Sequence, residues 1–246
     1  TYDAGQWTDQ LVERAFSCGS PHAVERAGIA YFMLDVDRVS PGSSSRAHPV
    51  IYKRDDATGV WATFAEHSNM TWIGNFDVDS AGRVHLVWLP SNRPFQYSIS
   101  NGSGWIEKGD AIPTRQLTEI ALGPNDEPYF AYDEWPAQKP HLVSINRDGS
   151  LRDEVISQRP ISNGFEFGVD PAGNPHLVSY KYGNSYTPGS NIYYYSHRDP
   201  LTGWSSQPLV TGWWQFGASI VFDECGLPVI GLSNVALQTV VPPPGP

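Results

Sequence analysis

Glu119 and Glu166 each stand four residues ahead of a recurring turn phrase, Gly123-Pro-Asn-Asp126 in one case and Asp170-Pro-Ala-Gly173 in the other. Two carboxylates at one position of neighbouring repeats suit glycosidic bond hydrolysis, where one acts as acid and the other as base or nucleophile at a few to about 10 Å. The same column reads Pro21, Asn75 and Ser219 in the other repeats. Flanking segments hold Trp72, Phe165, Trp213, Trp214 and Phe216, and a second set of loops holds Trp135, Tyr182 and Tyr186. Arg115 and His22 are the expected charge partners. A sugar ring offers an apolar C–H face to stack and a polar rim to satisfy, so aromatic platforms with a few carboxylates and amides predict a carbohydrate site. The competing reading of the two glutamates is a polar channel that holds water or a cation.

Other reactive residues carry less. Ser17-Cys18-Gly-Ser20-Pro-His22 offers a hydroxyl or thiol near an imidazole, but residues four apart on an extended strand lie over about 10 Å apart. Asp35-Val-Asp37 offers oxygen ligands for Ca²⁺ at the start of a long loop, and a solvated acidic loop explains it more simply. No cofactor and no metal site are otherwise expected. His85 and His176 share a column with Tyr31, Tyr129 and Val229, which marks a packing position rather than a base. Trp7, Trp61, Trp105 and Trp204, in register with Leu151, read as core.

The elements that place these residues come from an internal repeat. The phrase Asp79-Ser-Ala-Gly82-Arg-Val84-His85-Leu-Val-Trp88 recurs around Asp126, Gly173 and Gly226, with a weaker copy at Gly28, at spacings of 44 to 54 residues. Each copy joins two apolar runs through a tight turn, as a β-hairpin does. A second hairpin phrase lies downstream, as in Ile51-Tyr-Lys-Arg-Asp-Asp-Ala-Thr-Gly-Val-Trp61 and Tyr194-Tyr-Ser-His-Arg-Asp-Pro-Leu-Thr-Gly-Trp204. Four strands per repeat and five repeats predict an all-β, five-bladed β-propeller. Its last blade takes a third strand near 236–241 and is closed by the N-terminal strand near 7–12, which removes a free sheet edge. Residues 1–241 form one domain, and the Pro-rich segment 242–246 is a tail or linker, because proline gives no backbone donor to a sheet.

The phrase Asp-x-x-Gly-x-Pro-His-Leu-Val followed by Tyr-x-x-Arg-Asp…Gly-Trp resembles the BNR-type repeats of secreted bacterial β-propellers. That resemblance implies a glycoside-hydrolase-like or tachylectin-like architecture. It carries over no catalytic motif, and the Ser-x-Asp-x-Gly-x-Thr-Trp box of sialidases is absent: Ser144-Ile-Asn-Arg-Asp-Gly-Ser-Leu151 does not match its spacing.

Composition agrees with this class and excludes others. The 23 Gly, 21 Pro and 13% aromatic residues suit short strands and turns, and no apolar run reaches the roughly 18 residues of a membrane helix. A net charge of -10 disfavours nucleic acid and anionic lipid as partners. The expected partner is a glycan or small-molecule ligand. The chain opens at Thr1 without Met, which a removed signal peptide and a trimmed sequence explain equally, and Asn101-Gly-Ser103 and Asn69-Met-Thr71 are glycosylation triplets of a kind that also arises by chance. Composition favours a secreted or extracellular location over a cytoplasmic one. Cys18 and Cys225 fall at opposite ends of the first strand of their repeats, too far apart for a disulfide, and two free thiols are expected. Repeat lengths vary and only packing positions recur, so one asymmetric site is favoured over five equal ones. The functional expectation is a carbohydrate-acting propeller leaning to glycoside hydrolysis. The alternatives are a lectin and a protein-interaction propeller without catalysis.

Overall fold

The computed structural model describes residues 2–3, 6–7, 17–37, 48–67, 72–89, 94–112, 118–134, 137–145, 150–159, 165–181, 191–212, 218–223 and 225–232. These contain twenty strands and no helix. A short hairpin, β1 (Tyr2–Asp3) with β2 (Gln6–Trp7), comes first. Four antiparallel sheets follow in chain order. Blade 1 is β3 (Ser17–Arg26), β4 (Ile29–Asp37), β5 (His48–Arg54) and β6 (Trp61–Glu66). Blade 2 is β7 (Trp72–Val78), β8 (Val84–Leu89), β9 (Phe95–Ser100) and β10 (Trp105–Ile112). Blade 3 is β11 (Thr118–Leu122), β12 (Pro128–Glu134), β13 (Lys139–Ile145) and β14 (Leu151–Val155). Blade 4 is β15 (Phe165–Val169), β16 (Pro175–Lys181), β17 (Asn191–Asp199) and β18 (Gly203–Gly212). A pair, β19 (Ala218–Phe222) and β20 (Pro228–Leu232), supplies the first two strands of a fifth.

Four-stranded antiparallel units repeated in this order make the fold an all-β propeller of four-stranded blades. The third and fourth strands expected for the fifth blade, near 236–241 and 7–12, lie outside the described residues apart from Trp7, which pairs with Tyr2 in the opening hairpin. The Pro-rich segment 242–246 lies outside them too.

Burial follows position in the blade. In blade 3 the second and third strands carry central runs of buried residues, whereas β14 is largely exposed, as expected of an outer edge strand with solvent on one side. The chain forms two compact units, Thr1–Arg115 and Gln116–Pro246. In the first, Tyr31, Met33 and Ile51 of blade 1 pack on Phe76, Val78 and Leu86 of blade 2. In the second, Ala121, Ala131 and Leu142 of blade 3 meet Phe165, Phe167 and Leu177 of blade 4. The far face of blade 4, with Val178, Tyr193 and Tyr195, takes Ala218, Ile220 and Ile230 of the β19–β20 pair. Gly168 permits that last contact, because a Cβ there would stand 3.0 Å from Phe222 and 3.3 Å from Ile220.

The turns between first and second strands are set by carboxylates. Asp79 Oδ1 accepts the backbone N–H groups of Ala81 and Arg83 at 3.0 and 2.7 Å, Asp170 does the same for Ala172 and Asn174, and Asp223 for Cys225 and Leu227. Gly173 is required by its backbone, whose φ is +88°, and it lies beside Pro124 of the preceding blade's turn. Blade 1 differs. Its first hairpin turns on only Ala27 and Gly28, both at positive φ, so its pairing runs one residue further than in the other repeats.

Candidate functional site

Strand register fixes which side of each blade the polar column occupies. Directly paired residues share a face, and alternate residues along a strand share it as well. Glu119 pairs with Ala131, Glu166 with Val178 and Ser219 with Gly231, so the three occupy one equivalent position in successive repeats. The first strands of these repeats pack side by side, β11 on β15 and β15 on β19. Ala121 and Ala131 belong to the contact with blade 4, which puts Glu119 on the blade 3 face turned towards β15. Val178 belongs to the contact with β19 and β20, which puts Glu166 on the opposite face of β15. The two carboxylates thus share a height and enter successive gaps between blades.

In the first unit the same face carries His22 and Asn75. The bulge between Gly19 and His22 and the two-residue turn beyond it place His22, not Pro21, opposite Met33. The column therefore corrects to His22, Asn75, Glu119, Glu166 and Ser219, polar at every position. A further bulge lies between Ile73 and Phe76, and Asn75 within it accepts the Phe76 N–H at 2.7 Å. Burial lowers the His22 imidazole from its ordinary range, which favours the neutral ring.

Glu166 is the most perturbed carboxyl of the column. It lies opposite the fully buried Val178 and two residues from Gly168, and burial lifts it to about 7 from its ordinary 4.5. The cause is loss of water, not repulsion from a second carboxylate. A carboxyl that holds a proton half the time near neutrality is suited to general acid catalysis.

A residue that the sequence reading passed over joins Glu119. Asp133 lies two positions beyond Ala131 on β12, on the same face, and is 4% exposed. Its cross-strand partner on β13 is Pro140, which has no N–H to offer, and its Oδ1 is buried without a hydrogen-bond partner. Burial raises this carboxyl as well. The alternation Tyr129, Ala131, Asp133 was available in the sequence and would have placed Asp133 beside Glu119.

The remaining expected residues divide as follows. Trp72 opens β7 opposite Leu89, and its side chain lies outside the described residues, as do Arg115, Trp135, Tyr182, Trp213 and Trp214 entirely. Asp35 and Asp37 lie at the end of strand β4, with Asp35 paired to both Gly19 and Pro49, and their side chains and the loop after them lie outside the described residues. Among the described residues no group of three His, Cys, Asp or Glu could hold a metal ion.

His85 and His176 are buried and bonded at both ring nitrogens. His85 Nδ1 meets the Tyr97 hydroxyl at 2.6 Å and Nε2 meets Asp79 Oδ2 at 3.1 Å, and His176 repeats the pattern with Tyr195 at 2.6 Å and Asp170 at 3.3 Å. Burial pushes the Tyr195 phenol up to about 12, so it stays protonated and donates to Nδ1, while Nε2–H donates to the aspartate. Burial opposes ionisation of Asp79 and Asp170, but their backbone and side-chain donors prevail and hold both below the usual carboxylate range. With every polar atom engaged, these chains tie the second and third strands to the turn.

No protein-family profile matches the chain, and no curated protein matches it in sequence. Its structure is similar to that of the Hadza microbial sialidase Hz136, with a TM-score of 0.56, 12% identity, and coverage of 82% of this chain and 47% of the sialidase. TolB from Acinetobacter baumannii is similar with a TM-score of 0.53 and 15% identity, over 85% of this chain and 47% of TolB. The α-L-arabinofuranosidase from Lactobacillus brevis gives 0.51 and 13% identity, over 89% and 83% of the two chains. The chain thus spans about half the length of the first two, and identities this low show a shared fold alone.

Proposed function

We propose that the protein acts on carbohydrate and hydrolyses glycosidic bonds, with Glu166 as general acid and Glu119 as the second carboxylate, base or nucleophile. The observation that carries this reading is the Glu166 carboxyl, lifted by burial to about 7 on the first strand of its blade. Such a group is protonated when it must give a proton to a leaving oxygen and ionised when it must take one back. Asp133 beside Glu119 adds a second carboxyl on the same face, its affinity for protons raised by burial. Two of the proteins with similar structures are a sialidase and an arabinofuranosidase by name, which favours a sugar as the substrate.

The wider reading keeps His22 and Asn75 as ligand contacts at the same strand position, and Trp72, Arg115, Trp135, Tyr182, Trp213 and Trp214 as the aromatic and cationic surround. The β19–β20 pair is completed to a fifth blade by the chain's two ends, and the protein works outside the cell. The test is a panel of polysaccharides and aryl glycosides assayed for both binding and release of reducing ends. Glu166→Gln and Glu119→Gln should each lower kcat by at least about a hundredfold with the melting profile kept, since proton transfer contributes roughly 10²–10⁴-fold. Binding without turnover in the wild type would reject hydrolysis and leave a lectin.

A further inference from the structure

Two guanidinium groups share one carboxylate in the gap between blades 3 and 4. Arg152 Nε lies 2.7 Å from Glu154 Oε1, and Arg198 Nε lies 3.1 Å from Glu154 Oε2. Arg152 is the second residue of β14 and Arg198 the next to last of β17, so both stand at the strand ends that bear the turn between third and fourth strands. Glu119, the second residue of β11, is at the other end of blade 3. The cluster is therefore separate from the carboxylates of the candidate site, and its reading does not depend on theirs.

Each arginine spends its Nε on Glu154, and the terminal amino groups of both have no acceptor among the described residues. Their side chains are 54% and 30% exposed, so a ligand can reach them. The floor is rich in donors as well. Trp204, paired directly with Arg198, has a buried indole N–H without an acceptor, and Ser206 on the same face has a buried hydroxyl without a partner. Carboxylates next along the chain and in the adjoining turn are engaged locally: Asp199 accepts the Leu201 and Thr202 N–H groups, each at 2.8 Å, and Glu127 accepts the Asn125 N–H at 2.9 Å. Two forked cations are held by one shared carboxylate, so their combined charge exceeds that of the acceptor between them. A carboxylate that binds both Nε atoms also orients the outer edges of the guanidiniums, and those edges match the paired oxygens of an oxyanion.

We propose that Arg152 and Arg198 form an oxyanion-binding site, suited to the sulfate or carboxylate groups of an acidic polysaccharide or to free sulfate, at the end of the blades opposite the candidate site.

The experiment follows thermal unfolding of the intact protein in sodium sulfate against sodium chloride at equal ionic strength, together with calorimetric titration of polygalacturonate and of neutral dextran. Sulfate should raise the midpoint more than chloride does, with a shift that grows as the logarithm of its concentration above Kd, because a ligand bound only to the folded state at free concentration c stabilises it by RT ln(1 + c/Kd). The part of the shift lost in the arginine variants separates binding from the general stabilisation that sulfate gives any folded chain. Arg152→Gln and Arg198→Lys should each weaken the sulfate response at least tenfold. Arg152 is half exposed, so its variant keeps the fold if Arg198→Lys does not. Binding of polygalacturonate but not dextran, lost in the same variants, assigns the site to acidic polymers, whereas a response to sulfate alone assigns it to small anions. Equal responses of the wild type to sulfate and chloride, or a sulfate effect untouched by both substitutions, would overturn the site.

Discussion

Glu127 fills the space that a side chain on Gly123 would occupy: a Cβ built on Gly123 would collide with the Glu127 carboxylate. Asp79 and Asp170 hold this turn position in blades 2 and 4 and accept the turn's N–H groups directly, and in blade 3 Glu127 reaches back to do so, taking the Asn125 N–H at 2.9 Å. The carboxylate has changed its place in the sequence and kept its place in the structure.

That exchange predicts a rescue. Glu127→Ala should cost about 1 kcal/mol by leaving the turn without its acceptor. Gly123→Asp alone should destabilise by displacing the Glu127 carboxylate and setting a like charge beside it, whereas Gly123→Asp with Glu127→Ala should recover most of the loss. Urea midpoints of the four proteins supply the cycle. Additive losses would mean that the two positions do not exchange one role.

The aspartate–histidine–tyrosine chains predict unequal costs for small changes. Tyr97→Phe removes one hydroxyl and leaves His85 Nδ1 buried without a donor, so it should destabilise by about 1–3 kcal/mol. Tyr195→Phe should do the same in blade 4. A loss of a few tenths, of the size expected for an exposed phenol, would show that the imidazole finds another partner.

Much of this was legible before any coordinates. The repeat spacing, the turn phrase and the aromatic strand starts predict four-stranded blades because period-two alternation and Gly turns are local signals. His85 and His176 read as packing positions because Tyr31, Tyr129 and Val229 stand in the same column, and both are buried. Pro21 was misplaced because one turn of two residues shifts pairing by a single position, and a shift of one changes which face a residue joins. That same shift brings His22 into the column. The direction of Glu119 and Glu166 depends on which neighbouring blade each face meets, a long-range fact that spacing does not encode. Asp133 follows the strand alternation, but its burial with an unpartnered Oδ1 depends on what packs over that face, which spacing does not encode.

Cysteine chemistry gives a separate check on register. Cys225 is exposed and free in the turn before β20, with its N–H bonded to Asp223. It should react with a thiol reagent in the native protein within minutes. Denatured, unreduced protein should yield two thiols in all, because Cys225 is free and Cys18 is the one other cysteine of the chain. A total of zero thiols would require a bridge between the two.

The pH dependence of stability should be set by two buried groups acting in opposite directions. Glu166 titrates at about 7 in the folded protein against 4.5 when unfolded, so the folded state holds the extra proton between those values. Stability from this group is complete below about pH 4.5 and is lost as pH rises through 7. His176 behaves inversely. Burial lowers its imidazole despite Asp170, so the unfolded chain takes the extra proton first and stability falls as pH drops below 6.5. The Asp170 carboxyl, held low, adds a further loss below its ordinary 3.8. Glu166→Gln removes only the first effect, because the amide is neutral throughout. It should match the wild type near pH 4.5 and exceed it at pH 8 by about 1–3 kcal/mol, the free energy of the shift less what solvent recovers. Urea unfolding at the two pH values measures both differences. If the glutamine protein is no more stable than the wild type at pH 8, the Glu166 carboxyl is not desolvated, and the acid assigned to it in hydrolysis is lost with it.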